Sequence, residues 1–412
     1  MSAQRRTGLG TNQEAVRRHN LGTLLRHVHA AGQLSRAELT TLMGLNRSTI
    51  AGLVGELEAL GVAEHASPSG SARQGAGRPS AGVRIADAGP FVIAVDLGVD
   101  KAVVARVGLG GRIHRRAQAP VVGGGEAWQV GASVASLIRT VVEDAPAASP
   151  LVGIGISVPG LVRRSDGLVR LAPNLEWHDV SFGGIVLAAL GLDVPVSLGN
   201  DADLGALAEH TRGACVGVDD LIYVSGNVGV GAGVIIGGHL LRGYGGYAGE
   251  VGHLRFNPTG RPCHCGNRGC WETEVGAHAI AEAIHCPPDR VAQLDEVLAD
   301  FGKPSPELRT TGTALGHGLA SIVNTFNPQT VVLGGYFTSL YQLVSTEVSR
   351  GLADLALPAP LESVTLTLPG LGGDSPLLGA AEIALEPLLV DPVAALDAAL
   401  DDVHARVAMK AG

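Results

Sequence analysis

The sequence predicts an α/β protein in which a small helical module at the N-terminus precedes a larger body of two similar lobes. Three segments with helical apolar spacing and capping residues occupy the chain up to Gly61. From Pro90 the sequence pattern changes to short Val- and Ile-rich strands, Gly turns and Ala/Leu-rich helices, which is typical of α/β folds. A strand pair with a Gly-rich turn, followed by further βα units, occurs twice in this body. The repetition indicates a duplicated fold.

The composition excludes several classes of protein. With 412 residues, 46% of them hydrophobic and 17% charged, the chain is typical of a globular protein with two or three buried cores. No apolar run reaches membrane-spanning length, and the N-terminal residues lack the apolar centre of a secretory signal. We therefore expect a cytoplasmic protein.

The charge is divided unevenly along the chain. Residues 1–84 contain ten Arg, no Lys and five Glu, a net charge of +5, so the remainder of this −9 chain carries −14. A basic head on an acidic body favours an anionic partner for the head, and DNA is the obvious one.

Within the head, helices are predicted over residues 12–31, 35–43 and 46–60. The second is predicted to begin with a capping box, in which Ser35 caps the helix and Glu38 closes the box. Helix, short Gly-containing turn, helix is the helix-turn-helix arrangement, and its last helix enters the major groove N-terminal end first.

The candidate DNA contacts lie at the starts of these two helices. Arg47 has the length to reach guanine or phosphate, and the neighbouring amide and hydroxyls suit phosphates or base edges. We expect double-stranded operator DNA as partner, and association with the nucleoid when bound. The alternative is a three-helix packing module whose polar residues only cap helices. The candidates are Ser35, Arg36, Asn46, Arg47, Ser48 and Thr49.

Two short strands, 62–65 and 82–85, are predicted to form a hairpin after the third helix. The residues between them, 66–81, are rich in Ser, Gly, Pro and Ala and contain Arg73 and Arg78. One interpretation is a winged hairpin whose long tip inserts Arg78 into a minor groove. The other is a flexible linker. In either case we place the DNA-binding domain at residues 1–87.

The body is predicted to divide into a first lobe over 88–200, a second lobe over 201–390 and a C-terminal tail or helix over 391–412. The expected elements are strands 91–98 and 103–107, a helix over 129–142, strand 151–158, strand 194–198, a helix after Asn200-Asp201, and strands 221–224 and 229–236.

A cysteine cluster provides the strongest chemical signal. Three of the five cysteines, Cys263, Cys265 and Cys270, lie within eight residues, and with His253 they offer three thiolates and one imidazole. That set suits tetrahedral zinc and leaves no ligand position for water, so we expect one structural zinc per chain. His264 is an alternative nitrogen ligand, but its alternation with the neighbouring cysteines directs it away. The alternative is a loop with three reduced thiols.

The ordered motifs resemble those of the ROK family of repressors, open reading frames and sugar kinases, from about Asn12 to Glu386. The resemblance implies a winged helix-turn-helix followed by a two-lobed, actin-like sugar-kinase (ribonuclease H-like) fold. It also implies a sugar-responsive repressor of carbohydrate-metabolism genes that assembles as a homodimer or homotetramer. The motifs are Asp96-Leu97-Gly98, Val158-Pro159-Gly160, Asn174-Leu175-Glu176-Trp177, Gly199-Asn200-Asp201-Ala202, Gly249-Glu250-Val251-Gly252-His253, the cysteine cluster and Val331-Val332-Leu333-Gly334-Gly335.

The same resemblance assigns a sugar site. Asp201 aligns with the general base of the kinases, and His253 serves both sugar and zinc. Fixed carboxylates and amides suit sugar hydroxyls, and a zinc loop would hold Glu272 and His253 in place. The alternative for each carboxylate is a solvated surface charge or a helix cap. The implied sugar contacts are Asn174, Asn200, Asp201, Glu250, His253 and Glu272.

Two loops depart from the kinase pattern. The first phosphate loop of the kinases reads Asp-x-Gly-x-Thr, and Asp100 stands here at the Thr position. The second reads Gly-Thr-Gly-x-Gly-x-Gly, and Asn227 and Val228 replace its first two residues. Because phosphoryl transfer depends on positioning and charge stabilisation, we expect no kinase activity and a vestigial base at Asp201. The alternatives are an active, glucokinase-like kinase that also binds DNA, and an interaction protein controlled by a protein partner.

Overall fold

The computed structural model describes residues 12–66, 82–121 and 125–401. Its head contains the three predicted helices, and the capping box of Ser35 and Glu38 is present. The two predicted strands pair, and a third strand that the sequence analysis missed joins them in the order β1-β3-β2. The elements are α1 (Gln13–Ala31), β1 (Gln33–Ser35), α2 (Arg36–Met43), α3 (Arg47–Ala59), β2 (Ala63–Ala66) and β3 (Gly82–Ile85). The predicted hairpin tip, with Arg73 and Arg78, lies outside the described residues.

A five-stranded sheet organises the first half of the body. Its order is β11-β7-β4-β5-β6, with β4, β5 and β6 antiparallel and β7 and β11 added in parallel to β4. The strands are β4 (Phe91–Leu97), β5 (Lys101–Gly108), β6 (Ile113–Pro120), β7 (Leu151–Val158) and β11 (Val196–Asn200). Helices α4 (Ala127–Val142) and α5 (Phe182–Leu190) and a small ribbon of β8 (Leu161–Val162), β9 (Val169–Ala172) and β10 (Trp177–Val180) accompany it.

A second sheet repeats this plan with the order β14-β13-β12-β15-β16. Three antiparallel strands are again extended by two parallel ones, which confirms the predicted duplication. The strands are β12 (Leu221–Gly226), β13 (Val230–Ile236), β14 (His239–Leu240), β15 (Thr330–Gly335) and β16 (Thr365–Thr367). The helices are α6 (Asp201–Thr211), α7 (Glu272–Val275), α8 (Ala277–Ala283), α9 (Leu294–Ala299), α10 (Pro306–Phe326), α11 (Phe337–Leu355), α12 (Pro358–Ser363), α13 (Ser375–Val390) and α14 (Pro392–Asp401).

Helix α13 connects the parts of the molecule. It packs on β4 and β7 of the first sheet, on α6 and on α1 of the head. Glycines make these contacts close, since a Cβ at Gly155 would lie 1.8 Å from the Ala380 carbonyl oxygen and one at Gly22 would lie 2.5 Å from that of Val390. One apolar core therefore continues from Leu25 of the head to Leu385 of α13.

The predicted division of the body at residues 88, 201 and 391 stays a prediction. Helix α13, which falls in the predicted second lobe, lies against the first sheet. Among the helices of the described ranges, none is long and apolar enough to cross a membrane.

Candidate functional site

The four predicted metal ligands lie together. The ligand atoms of His253, Cys263, Cys265 and Cys270 are all within 4.8 Å of one another. Cys263 Sγ is 3.7 Å from His253 Nδ1, and the Sγ atoms of Cys265 and Cys270 are 3.6 Å apart. Thiolates about 2.3 Å from a zinc ion in a tetrahedron are about 3.8 Å from each other. The cluster therefore has the donor atoms and the spacing to hold a metal ion, and His264 is not part of it.

The backbone around the cluster depends on close turns. The Cys263 amide donates to the carbonyl of Asn267, and the Gly266 amide donates back to the carbonyl of Cys263. Gly269 has φ +70°, and a Cβ there would lie 1.5 Å from the Asn257 carbonyl oxygen, so only glycine fits. These turns bring Cys270 back beside Cys265.

Asn200 and Asp201 lie where β11 ends and α6 begins. Asn200 caps α6, because its Oδ1 accepts from the amides of Ala202 and Asp203 at 2.9 and 3.2 Å, while its Nδ2 donates to Gly160. Asp201 Oδ2 accepts a hydrogen bond of 2.9 Å from Nδ2 of Asn227. Burial raises the pKa of Asp201, although the bond from Asn227 acts in the opposite direction. A carboxylate acceptor and an amide are thus fixed at the start of one helix.

Glu250 and Glu272 follow β14 in the chain, and Glu272 is the first residue of α7. Glu272 Oε2 accepts from the amide of Val230 at 2.9 Å, and its Oε1 lies 3.9 Å from Cys263 Sγ. Burial raises the pKa of Glu250; His253 acts to lower it, and the carboxylates of Asp201 and Glu272 add to the rise. Glu250 is therefore within electrostatic reach of three other predicted sugar contacts.

A cavity of about 340 Å³ opens beside these groups. Asn174, from the turn before β10, lines it together with Glu272 and Cys263 of the metal loop. Val228 and Gly229 form another part of its wall. The structure thus brings Asn174 and Glu272 to one cavity, while Asp201 joins this region through Asn227, the neighbour of Val228. Asn200, Glu250 and His253 are not among the residues that line it.

The two phosphate-loop positions carry a carboxylate and an apolar side chain. Asp100 is exposed in the turn between β4 and β5, and Val228 offers an apolar side chain to the cavity. Asp96 accepts from the hydroxyl of Ser157 at 2.8 Å. Burial raises the pKa of Asp96 to about 6, and the carboxylate of Asp201 contributes to the rise. Asp96 of β4 and Asp201 at the end of β11 therefore interact electrostatically on the first sheet.

In the head, the predicted contacts of α2 have internal partners. The Ser35 hydroxyl accepts from the Glu38 amide at 3.1 Å, and the Ser35 amide donates to the Glu38 carboxylate at 2.7 Å. Arg36 Nη2 lies 3.4 Å from His65 Nε2 and 3.8 Å from Glu58 Oε1, so its side chain is directed between α3 and the hairpin. Ser35 and Arg36 thus have partners within the head, and their contact with DNA stays a prediction.

At α3, a polar cap precedes an exposed arginine. Asn46 Oδ1 accepts from the Thr49 amide at 2.9 Å and from the hydroxyls of Ser48 and Thr49 at 2.7 and 3.0 Å. Arg47 is the first residue of the helix and is exposed. The cap therefore fixes the start of α3 and leaves the Arg47 guanidinium at the surface.

Sequence reasoning missed the role of Asn227. From the sequence, Asn227 was interpreted only as the replacement of a glycine in the second phosphate loop. In the structure its side-chain amide donates to the carboxylate of Asp201. The available signal was the residue type, since an amide that replaces a glycine next to an acidic site supplies a donor. Contact between residues 26 positions apart could not be read from spacing.

Comparisons with known proteins all match this chain to proteins of one family. The model of the ROK family matches residues 92–386. The chain is 31% identical over 390 residues to the xylose repressor of Bacillus spizizenii, covering 92% of this chain and 98% of that one. It is 29% identical over 325 residues to the glucokinase of Streptomyces coelicolor, covering 74% of this chain and 99% of the glucokinase.

A solved structure has the same architecture. A ROK family transcriptional regulator, a homologue of the E. coli MLC protein, aligns with a TM-score of 0.73 at 24% identity. The alignment covers 92% of this chain and 99% of that one, so the likeness in fold extends through most of the head as well as the body.

Proposed function

The chain belongs to the ROK family, and on that premise we propose that it is a sugar-responsive repressor of carbohydrate-metabolism genes. The observation that carries the proposal is the extent of the match to the xylose repressor. A match over 92% of 412 residues must include most of the first 87, which lie outside the family model. The head and body of this chain therefore occur together in a protein named as a repressor.

Sugar recognition would depend on groups that the fold already holds in place. Asn200 is fixed as the cap of α6, Asp201 by Asn227, and Glu272 by the amide of Val230. Fixed acceptors and amides make charge-assisted hydrogen bonds to hydroxyl groups at little ordering cost. Asn174, Glu250 and His253 would complete the site, and a pentose or hexose is the class of ligand that this set suits.

The metal loop is proposed to hold one structural zinc ion. Three thiolates and one imidazole fill a tetrahedral shell, so no position is left for a reacting water. The cluster adjoins the proposed sugar site, because His253 is itself one of the proposed sugar contacts. Cys270 is separated from Glu272 in the chain only by the buried Trp271. The ion would therefore act by fixing Glu272 and His253.

Kinase activity is proposed to be absent. The kinases need donors for phosphate oxygens, and this chain has a carboxylate at Asp100 and an apolar side chain at Val228. The alternative, a glucokinase-like enzyme that also binds DNA, is favoured by the retained Asp201 and by the similarity to the Streptomyces coelicolor glucokinase. Transfer of phosphate from ATP to glucose by the purified chain would establish that alternative.

DNA recognition is proposed to place the N-terminal end of α3 in a major groove, where Arg47 contacts guanine or phosphate. A homodimer or homotetramer would bind two half-sites of an operator. Sugar binding would change the distance between the two DNA-binding heads of the dimer. It can do so only if the sugar binds the DNA-binding and the non-binding conformations with different affinities.

The test is a fluorescence-anisotropy titration of labelled DNA from upstream of the chain's own gene. Xylose, glucose and N-acetylglucosamine are added separately at one fixed salt concentration, because affinity for DNA depends on salt. We expect DNA binding, and a severalfold change in its midpoint with one sugar. Sugar affinity is measured by calorimetry on the same protein.

Two variants separate the two sites. Arg47→Ala is expected to lose DNA affinity and keep sugar affinity, whereas Glu272→Gln is expected to do the reverse. Arg290→Ala, an exposed arginine of the body, is the charge-matched control for Arg47. DNA binding that no sugar alters would refute the sugar response, and equal losses in the two arginine variants would refute the assignment of α3.

A further inference from the structure

A buried polar cluster joins the head to the body, and we call it the joint. It consists of His29 of α1, Arg212, which directly follows α6, and Glu382 of α13. Relative exposure of their side chains is 5%, 10% and 6%. Charged groups are rarely buried to this degree unless they are paired, so the contact is a specific one.

The three side chains of the joint contact one another and the backbone around them. The Gly110 amide, in the turn between β5 and β6, donates to His29 Nδ1 at 2.9 Å. His29 Nε2 lies 3.0 Å from Glu382 Oε2 and is also contacted by Nη2 of Arg212. Arg212 donates from Nε to Glu382 and from Nη1 to the His29 carbonyl oxygen at 3.2 Å. That carbonyl belongs to the last turn of α1, where a cation is favoured.

The two body helices of the joint are tied to each other. Glu209 of α6 is fully buried, and its carboxylate accepts from the hydroxyl of Ser375, the first residue of α13, at 2.7 Å. It also accepts from the amides of Gly370 and Leu371 at 2.8 and 3.1 Å. A Cβ at Gly379 would lie 1.9 Å from the Leu204 carbonyl oxygen, so the helices are in backbone contact. We therefore treat α6 and α13 as one rigid unit.

The opposite end of that unit lies in the proposed sugar site. Helix α6 begins at Asp201 and is preceded by Asn200, and it ends one residue before Arg212. Eleven helical residues span about 16 Å. A displacement of the start of α6 would therefore reach the joint through a continuous helix.

We propose that the α6–α13 unit carries the sugar signal to the head, and that Arg212 is the positioning residue that passes it to α1. This inference rests on the proposed function. Sugar that draws Asn200 and Asp201 toward the second sheet would move the unit and, through Arg212, the C-terminal end of α1. Buried pairs have a few discrete arrangements, so a small shift is converted into a change of head position.

The test replaces the guanidinium without leaving a buried charge unpaired. Arg212→Met removes the link, and the double variant Arg212→Met/Glu382→Gln also neutralises the partner, because removing one member of a buried pair strongly destabilises a protein. The matched control is Arg26→Met. Arg26 binds Glu386 at 2.8 and 3.1 Å and joins the same helices, α1 and α13, but this pair is exposed and includes no residue of α6.

Each variant is titrated with the upstream DNA, with and without xylose or glucose, and sugar affinity is measured separately by calorimetry. In the wild type we expect the effective sugar to change the DNA midpoint about fivefold or more. Arg26→Met should retain this change. The double variant should bind sugar and sugar-free DNA within about threefold of the wild type, with a sugar-dependent change below about twofold.

The outcomes separate the two ideas. A full sugar response in the folded double variant would overturn the role of Arg212 and leave the proposed function intact. An equal loss of response in Arg26→Met would overturn it too, because any α1–α13 contact would then suffice. A wild-type protein whose DNA binding no sugar alters would refute the proposed function itself, and this inference with it.

Discussion

Adding one methyl group at Gly318 is expected to disturb the metal and sugar sites together. Gly318 lies within α10, and a Cβ there would lie 1.9 Å from Cε2 and 2.1 Å from Nε1 of Trp271. Carbon atoms in contact are normally about 3.5–4.0 Å apart, so the fully buried indole must move by roughly 1.5–2 Å. It cannot do so without breaking the bond of 3.1 Å from its Nε1 to the Ala314 carbonyl oxygen.

The magnitude follows from three contributions. Gly→Ala inside a helix contributes about 1 kcal/mol of stability through helix propensity. Overpacking costs about 1–3 kcal/mol, and loss of the indole hydrogen bond costs about 1 kcal/mol more. We expect Gly318→Ala to lower the free energy of unfolding by about 2 kcal/mol and Tm by several degrees. Because Trp271 lies between Cys270 and Glu272, metal content and sugar affinity should fall with it.

The assay is scanning calorimetry combined with metal analysis and sugar titration. Gly55→Ala is the control, since no heavy atom of the described residues lies within 4 Å of a Cβ at that helical position. We expect this control to be unchanged or slightly more stable, by up to about 1 kcal/mol. A Gly318→Ala protein as stable as the control, with full sugar affinity, would refute the packing argument.

Two further predictions concern the metal loop and the buried carboxyl group of Asp203. Cys265→Ser should lose the metal and the sugar affinity together, whereas Cys286→Ser, outside the cluster, should keep about one zinc per chain by metal analysis. A metal-free wild type that is fully folded and binds sugar would contradict this. Burial raises the pKa of Asp203 to about 7, Glu250 and Asp201 add to the rise, and Arg242 opposes it. The unfolded chain then loses this proton first, so native stability falls as pH rises from about 4 to about 7 and the loss persists above that. Asp203→Asn should remove a cost on the order of 2–4 kcal/mol at pH 8 and change little near pH 4, and urea unfolding at both pH values checks this. Equal effects at the two pH values would contradict it.

Local features of this protein could be predicted because their causes lie within a few residues. The caps at Ser35 and Asn46 bond to amides three residues later, so both helix starts were predictable. Strand 151–158 was predicted with the bounds that the structure has, since a short apolar run bounded by turn residues identifies a buried strand. The cysteine–histidine cluster was predictable because three cysteines and a histidine within 18 residues have few uses other than metal binding in such a chain.

Several strands were missed for an identifiable reason. Strand β6 alternates between half-buried and exposed residues and contains His114, Arg115 and Arg116 among its eight positions, so its composition resembles a loop. Strand β1 has three residues and is held by its pairing with β3, about 50 positions away. Such strands exist because a partner strand satisfies their backbone groups, and that partner cannot be identified from a short window.

The sequence by itself determined the helix starts of the head, the duplicated α/β body, the residues of the cysteine–histidine cluster and the family, because each depends on neighbouring residues or on motifs in a fixed order. Only the tertiary structure decided that α13 returns to the first sheet, that Asn227 holds Asp201, and that Arg212 reaches His29 across 183 positions. These contacts arise from close backbone approach and from the need to pair buried charges. Both depend on which surfaces meet after folding, and residue spacing along the chain does not specify which ones will meet.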